Sequence, residues 1–403
     1  MVIPDVQTFL AKPDRPTVAV LGLGQMGLVC AGILAGSGDT SEAGPPRAAG
    51  GPGMQGGLLQ RPVHVRLWGR NASEAAQVAQ TRRSPRLAHF TLPPGVQVCL
   101  QAREALMGAD LVIAAIPVQF LRSALTEHAA FIPDHVGIVS VSKGIEEGTL
   151  LRPSEIVADV LGRTGRDDPD RRPRPIGTLS GPTIAAELSR CLPAAMVAAS
   201  DDEAFARQIQ VLFTCSWLRV YTSTDLLGVE LAGAVKNVIA IAAGVIDGLR
   251  AGNNAKSALL ARGMAEIARL GVAMGASQQT FAGIAGVGDL ATSCFSPEGR
   301  NRSLGEAIGR GLPADGGGGA GGAGGGGGGG GVMDVEAYLR QSPSVVEGVY
   351  TTRAVVQLAE KYRVEVPIVR AVHAVLFEKV DPLTAIGALM SRAARPERDE
   401  ERA

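Results

Sequence analysis

The sequence predicts an α/β protein: a doubly wound, mostly parallel sheet in the N-terminal half, followed by an all-α C-terminal half. Three observations predict it. Short apolar strand patterns alternate with helical stretches from residue 17 to about 222, the mark of βαβ units. A glycine-rich turn stands between the first strand and the first helix. From Asp225 to about Arg392 helical patterns dominate and strand signal almost vanishes. A chain of 403 residues is long enough for two domains with a large core.

The elements follow in order. Residues 17–22, Thr-Val-Ala-Val-Leu-Gly, read as a short buried strand, and 28–34 continue as a helix. Residues 37–61 are rich in Gly, Pro, Ser and Ala and read as a flexible insertion. Further strands are expected at 63–68, at 110–116 (ended by Pro117) and at 137–142. Two more, at 194–199 and 218–222, close the first half. The boundary therefore falls near 223, with a first domain over 14–222 and a helical one over 223–394. Residues 316–331 are glycine broken only by Ala320 and Ala323. Such a run buries no apolar surface and is expected to be a disordered loop. The tail 395–403 is charged and expected to fray.

Composition excludes several classes. Net charge is +0 and aromatics are 4%, so no basic stripe points to nucleic acid. Each apolar run is interrupted by Gly, Pro or a charge, so no membrane span is expected. Cys30, Cys99, Cys191, Cys215 and Cys294 are dispersed without metal-ligand spacing. They read as reduced thiols, and no metal is expected. The N-terminus lacks a basic segment before an apolar core, and Asp5 and Asp14 speak against a transit peptide. A cytoplasmic protein is expected, with a plastid form as the alternative.

Gly22-Leu-Gly24-Gln25-Met26-Gly27 follows the first strand and opens a helix. In that context the glycines serve a tight turn, close approach of a pyrophosphate, and helix–sheet packing. The helix N-terminus then faces the anion. The first domain is thus a Rossmann-like NAD(P)-binding domain. The second strand ends Leu67-Trp68-Gly69-Arg70-Asn71, without the acid that holds the ribose of NAD. Arg70 suits a 2′-phosphate or an adenine face, so NAD or NADP is expected.

The chemistry-bearing feature is a lysine and an asparagine inside an apolar helical run, Leu231-Ala-Gly-Ala-Val-Lys236-Asn237-Val-Ile-Ala-Ile-Ala-Ala-Gly244. Burial favours the neutral form of a lysine, which suits it to accept a proton. The competing reading is a lysine that snorkels to the surface. Ser142-Lys143-Gly144 lies just past a parallel strand, where open sheets bind ligands. Ser180-Gly181-Pro182-Thr183 reads as a turn opening a helix. Gly286-Val-Gly288-Asp289 offers a carboxylate on a glycine-flanked turn, and Arg300-Asn301-Arg302 a planar fork suited to phosphate.

With these segments the chain resembles the NAD(P)-dependent glycerol-3-phosphate dehydrogenases of the bacterial and plastid type. The resemblance also draws on residues 220–223, 228–244, 296–297 and 345–348, and runs from about 17 to 392. It implies that Lys236 accepts the C2-hydroxyl proton of sn-glycerol 3-phosphate, beside Asn237, while hydride leaves for the nicotinamide. It places Lys143 beside the substrate, as a second cation that loosens the proton on its neighbour. Asp289 would fix a substrate hydroxyl or orient the lysines. Gly181 and Thr183 would line the substrate site and Ala185 the cofactor. Arg300 and Asn301 would hold the phosphate, with Arg300 also near the cofactor, and Val345 and Glu347 would contact the cofactor. A homodimer is implied as well. Two departures stand out: Gln25 and Met26 where the family usually carries Ser-Trp, and Gly299 where it usually carries a serine, leaving a backbone amide. The alternatives are a relative of the 3-hydroxyisobutyrate or 6-phosphogluconate dehydrogenases, or a catalytically silent nucleotide-binding protein.

Overall fold

A computed structural model describes residues 15–36, 63–134, 136–166, 173–311, 335–341 and 345–393. The expected insertion 37–61, the glycine run 316–331, the tail 395–403 and the leader bearing Asp5 and Asp14 lie outside the described residues. The sheet has eight strands: β1 (Thr17–Leu21), β2 (His64–Trp68), β3 (Val96–Cys99), β4 (Leu111–Ala114), β5 (Gly137–Ser140), β6 (Ile176–Ser180), β7 (Ala194–Ala199) and β8 (Leu218–Ser223). Their order is β3-β2-β1-β4-β5-β6-β7-β8. Every pairing is parallel except β6 with β7. The predicted α/β class is borne out. Strand order reverses between β1 and β4, which opens a crevice at their C-terminal ends.

Two strands escaped the sequence reading. β3 has only four residues, too short for alternation to register. β6 reads Ile-Gly-Thr-Leu-Ser, with no apolar run. Its hydroxyls are satisfied inside the sheet instead: Thr178 Oγ1 donates to the Ser140 carbonyl at 3.1 Å. Gly177 is required because a β-carbon there would meet Ile209 at 2.8 Å and the Ala199 carbonyl at 2.9 Å.

Helices α1 (Gln25–Leu34), α2 (Ala72–Thr81), α3 (Ala102–Leu106), α4 (Val118–His128), α5 (Pro153–Arg163), α6 (Ala185–Leu188) and α7 (Glu203–Phe213) accompany the sheet. Aliphatic cores pack on both of its faces.

After β8 the described residues are helical: α8 (Leu226–Gly248), α9 (Gly252–Ala273), α10 (Gln278–Ala282), α11 (Asp289–Phe295), α12 (Arg300–Gly309), α13 (Val335–Gln341), α14 (Glu347–Lys361), α15 (Pro367–Phe377) and α16 (Pro382–Met390). A π-helical turn, Ile284–Gly288, precedes α11. α8 is the axle of this half, because small and aliphatic residues surround it on all sides. It packs against α9, α11, α12, α14 and α15, and against β6 of the sheet. The expectation that no apolar run reaches membrane-spanning length is corrected here. α8 passes by length and composition, but 94% of its apolar window is buried inside the protein.

Candidate active site

The glycine turn meets its steric requirements one residue at a time. Gly22 has φ +127° and donates its amide to the Trp68 carbonyl at 2.7 Å. A side chain there would run into the Ala115 carbonyl, and a methyl on Gly27 would overlap the carbonyl of Gly22. Around Gly24 a β-carbon would meet nothing within 4 Å, so the backbone is open to a ligand. Gly24 begins α1 with no side-chain cap and no acid in the first turn. The first-turn amides thus suit a diphosphate. Gln25 turns outward and donates to the Arg86 carbonyl at 2.8 Å, whereas Met26 packs on the core beside the sheet.

Arg70 is exposed, and its guanidinium carbon sits 5.6 Å from the centre of the Phe120 ring. No carboxylate ends β2. Phe120 was missed in the sequence. Its only signal was an aromatic in the first turn of the helix after β4, which says nothing about Arg70 until the sheet order is known. Open glycine backbone, uncapped helix amides and an exposed arginine over an aromatic ring fit an NAD(P) dinucleotide.

A buried charged cluster forms where α8 and α11 meet the ends of β5 and β6. Lys236 is 7% exposed and Asp289 1%, which rules out snorkelling. Lys236 Nζ lies 2.5 Å from Asp289 Oδ1 and donates to Ser293 Oγ at 2.6 Å. Lys143 Nζ lies 2.7 Å from Asp289 Oδ2 and donates to the Gly181 carbonyl at 2.7 Å and Thr183 Oγ1 at 3.2 Å. One carboxylate therefore serves two lysines. Burial lowers the Lys143 pKa to about 8, the charge of Asp289 opposes this, and that of Lys236 adds to it. The sequence casts Lys143 as the neighbouring cation; in the structure burial and the charge of Lys236 loosen its own proton as well.

Backbone detail aims these groups. Gly181 has φ +138° and turns its carbonyl to Lys143. Asp289 is the first residue of α11, delivered by the π-helical turn rather than by an open glycine turn. Ser293, one turn along α11, was missed because an isolated helix serine carries no signal. Thr183 does not cap the helix that follows; Ile184 occupies that position. Ala185 is buried in the core on the α1 side of the sheet.

A second polar chain starts at Asn237, the residue after Lys236. Asn237 Oδ1 accepts from Asn301 Nδ2 at 3.0 Å, and Asn301 Oδ1 accepts from the Gly348 amide at 3.0 Å. Gly299 precedes α12, and its carbonyl receives the Ser303 amide at 2.8 Å. Arg300 is exposed and donates to the Val345 carbonyl at 3.0 Å. The expected Arg-Asn-Arg fork is corrected. Residues two apart point to different sides of a helix, and Arg302 is committed to Asp247 and Glu306.

Glu347 starts α14 and reaches across to the start of α4. Its Oε1 accepts the Val118 amide at 3.3 Å, while the buried Oε2 has no hydrogen-bond partner among the described residues. Burial raises its pKa to about 7, opposed by the Val118 amide and the charge of Arg300.

Residues 17–206 match the N-terminal model of the NAD-dependent glycerol-3-phosphate dehydrogenases, and residues 225–387 match the C-terminal one. The chain is 41% identical over 334 residues to glycerol-3-phosphate dehydrogenase [NAD(P)+] 1 of Salinibacter ruber, covering 83% of this chain and 90% of the relative. It is 37% identical over 382 residues to the Thermobifida fusca glycerol-3-phosphate dehydrogenase [NAD(P)+], covering 94% and 98%. The crystal structure of a Coxiella burnetii glycerol-3-phosphate dehydrogenase superposes with a TM-score of 0.76 at 29% identity, covering 94% of this chain and 99% of that one. On fold, site geometry and sequence together, this chain belongs to the NAD-dependent glycerol-3-phosphate dehydrogenase family.

Proposed function

We propose that the chain interconverts sn-glycerol 3-phosphate and dihydroxyacetone phosphate with NAD or NADP, a step that links glycolysis to glycerophospholipid synthesis. The observation that carries this reading is the buried Lys236–Asp289–Lys143 cluster, with Asn237, the residue after Lys236, hydrogen-bonded to Asn301, the residue after Arg300. Bound NAD(P) supplies the hydride acceptor or donor. Lys236 acts in this step as the neutral amine: it takes the C2-hydroxyl proton as hydride leaves C2, becoming the ammonium that Asp289 pairs, and returns the proton in the reverse direction. Lys143 holds the substrate oxygen, and Asp289 orients both lysines. Gly181 and Thr183 line the substrate site by fixing Lys143. Arg300, Asn301 and the Gly299 amide anchor the phosphate, so that C2 stays in register with Lys236.

Gly22, Gly24 and Gly27 shape the cofactor turn, with Gln25 and Met26 at its rim. Arg70 takes the adenosine end. Ala185 backs the cofactor, and Arg300, Val345 and Glu347 meet its nicotinamide side.

A second assignment exchanges the lysines. It is favoured by the Lys143 pKa of about 8, close to working pH. Pre-steady-state proton release in Lys143→Ala and Lys236→Ala separates the two, because only the variant lacking the acceptor loses the burst.

Family membership weighs against the hydroxyisobutyrate, phosphogluconate and catalytically silent alternatives. The direct test is oxidation of NADH or NADPH with dihydroxyacetone phosphate. Turnover of 3-hydroxyisobutyrate or 6-phosphogluconate, but not of this ketone, would overturn the reading. We also place the domain boundary at 222/223, and propose a cytoplasmic homodimer, which sedimentation and fractionation would test.

A further inference from the structure

We propose that Arg302 and Asp247 are positioning residues that set the separation between Lys236 and the Arg300–Asn301 anchor, and so tune the enzyme to a phosphate-bearing substrate. The proposal rests on the reading above that Arg300 and Asn301 hold the phosphate. α8 carries Lys236 and α12 opens with Arg300, so the packing of these two helices fixes the span between the two ends of the substrate.

Their contact is backbone to backbone. A methyl on Gly244 would overlap the Arg302 carbonyl, and one on Gly248 the Glu306 carbonyl. From the other side, a methyl on Gly305 would overlap the Ile241 carbonyl, and one on Gly309 the Val245 carbonyl. Four-residue spacing puts each pair of glycines on one stripe of its helix. Glycine stripes let helices approach closely. They carry no knobs, so by themselves they leave sliding and rotation of α12 weakly opposed.

The ionic clamp supplies what the glycines lack. Arg302 Nη1 meets Asp247 Oδ2 at 2.6 Å and Glu306 Oε2 at 3.0 Å, and its Nε donates to the Ser296 carbonyl at 2.9 Å. Ser296 opens the turn that leads to Gly299 and Arg300. Asp247 also receives Lys256 Nζ, at 2.8 and 2.7 Å to its two oxygens, and that ammonium lies 4.9 Å from the centre of the Phe295 ring. One carboxylate near the end of α8 thus holds α9, α12 and the turn before the anchor. The partners of this clamp lie outside the Lys236–Asp289–Lys143 cluster. Its loss should therefore displace the anchor and spare the chemistry.

The test compares kcat/KM for dihydroxyacetone phosphate and for dihydroxyacetone, which lacks the phosphate, in wild type, Asp247→Asn and Arg302→Lys, with NADH and NADPH dissociation constants alongside. Asp247→Asn is expected to lower kcat/KM for the phosphate substrate on the order of tenfold or more, mainly through KM. With cofactor saturating, dihydroxyacetone turnover should stay within about twofold, since the clamp lies outside the catalytic cluster. Arg302→Lys, which keeps the charge and loses the fork, should fall between. Proportional loss with both substrates, or no loss with either, overturns the proposal. If Asp247→Asn does not melt cooperatively, the same criteria are read from Arg302→Lys. A wild-type enzyme with no preference for the phosphate would instead overturn the anchor reading.

Discussion

Lys236 Nζ lies 2.5 Å from Asp289 Oδ1, inside a helix pair that leaves the carboxylate 1% exposed. Breaking a buried ion pair by removing one partner leaves an uncompensated charge. Asp289→Asn removes the charge that Lys236 and Lys143 share. It should lower kcat by roughly 100-fold or more and lower the melting temperature, because two lysines then lose their counter-charge. Lys236→Ala should lower kcat by orders of magnitude while NAD(P) binding survives. Steady-state kinetics with fluorescence titration of the cofactor checks both. Near-normal turnover in Lys236→Ala would refute its role.

The Lys143 pKa of about 8 makes a signed prediction. Its charged form dominates below pH 8 and is lost as pH rises through that value. If the ammonium holds the anionic substrate, KM for dihydroxyacetone phosphate should rise above pH 8, and Lys143→Arg should move that rise to higher pH. In stability the sign runs the other way. Between about 8 and the unfolded value of 10.5 the folded chain has released a proton that the unfolded chain keeps, so Lys143 favours folding as pH rises across that window. A flat KM profile from pH 7 to 9.5 would count against the charged role.

Glu266 on α9 accepts the amides of Ile368, at 2.8 Å, and Val369, at 3.3 Å, which open α15. Burial raises its pKa to about 7 from 4.5, against those amide bonds. A carboxyl raised by folding binds its proton more tightly in the native state, so stability should fall as pH rises from about 4.5 to 7. Glu266→Gln should flatten that part of the melting profile and leave kcat near wild type. Thermal melts at half-unit pH steps would show it, and an unchanged slope would exclude Glu266 as its source.

Arg70 is exposed over Phe120 and no acid ends β2. Arg70→Ala should therefore weaken NADPH more than NADH, by about tenfold in relative dissociation constant, the scale of a charge-assisted phosphate contact. Equal weakening of both cofactors would assign Arg70 to the adenine alone.

The N-terminal half was legible because its signals are local. β1, the glycine turn and α1 follow within eighteen residues, from Thr17 to Leu34, and Gly27 answers to a steric need inside the turn itself, the carbonyl of Gly22. β7 and β8 were legible for the same reason, as apolar runs bounded by turns. β3 and β6 were not, because a four-residue edge strand and a strand of glycine and hydroxyls owe their state to neighbours in the sheet.

The sequence by itself determined the α/β class, the place of the dinucleotide turn and the presence of a lysine inside an apolar helix. These follow from periodicity, glycine stereochemistry and the cost of burying charge, which act over a turn or a strand. Only the tertiary structure decided what that lysine meets. Asp289 lies 53 positions away from Lys236 and 146 from Lys143, and Asn301 lies 64 from Asn237. It also split Arg300 from Arg302, sending one to the mouth of the site and the other into the Asp247 clamp. Charges are paired in space rather than along the chain, so their partners, and the lysine whose proton is loosened, emerge only when α8, α11 and α12 pack against the sheet.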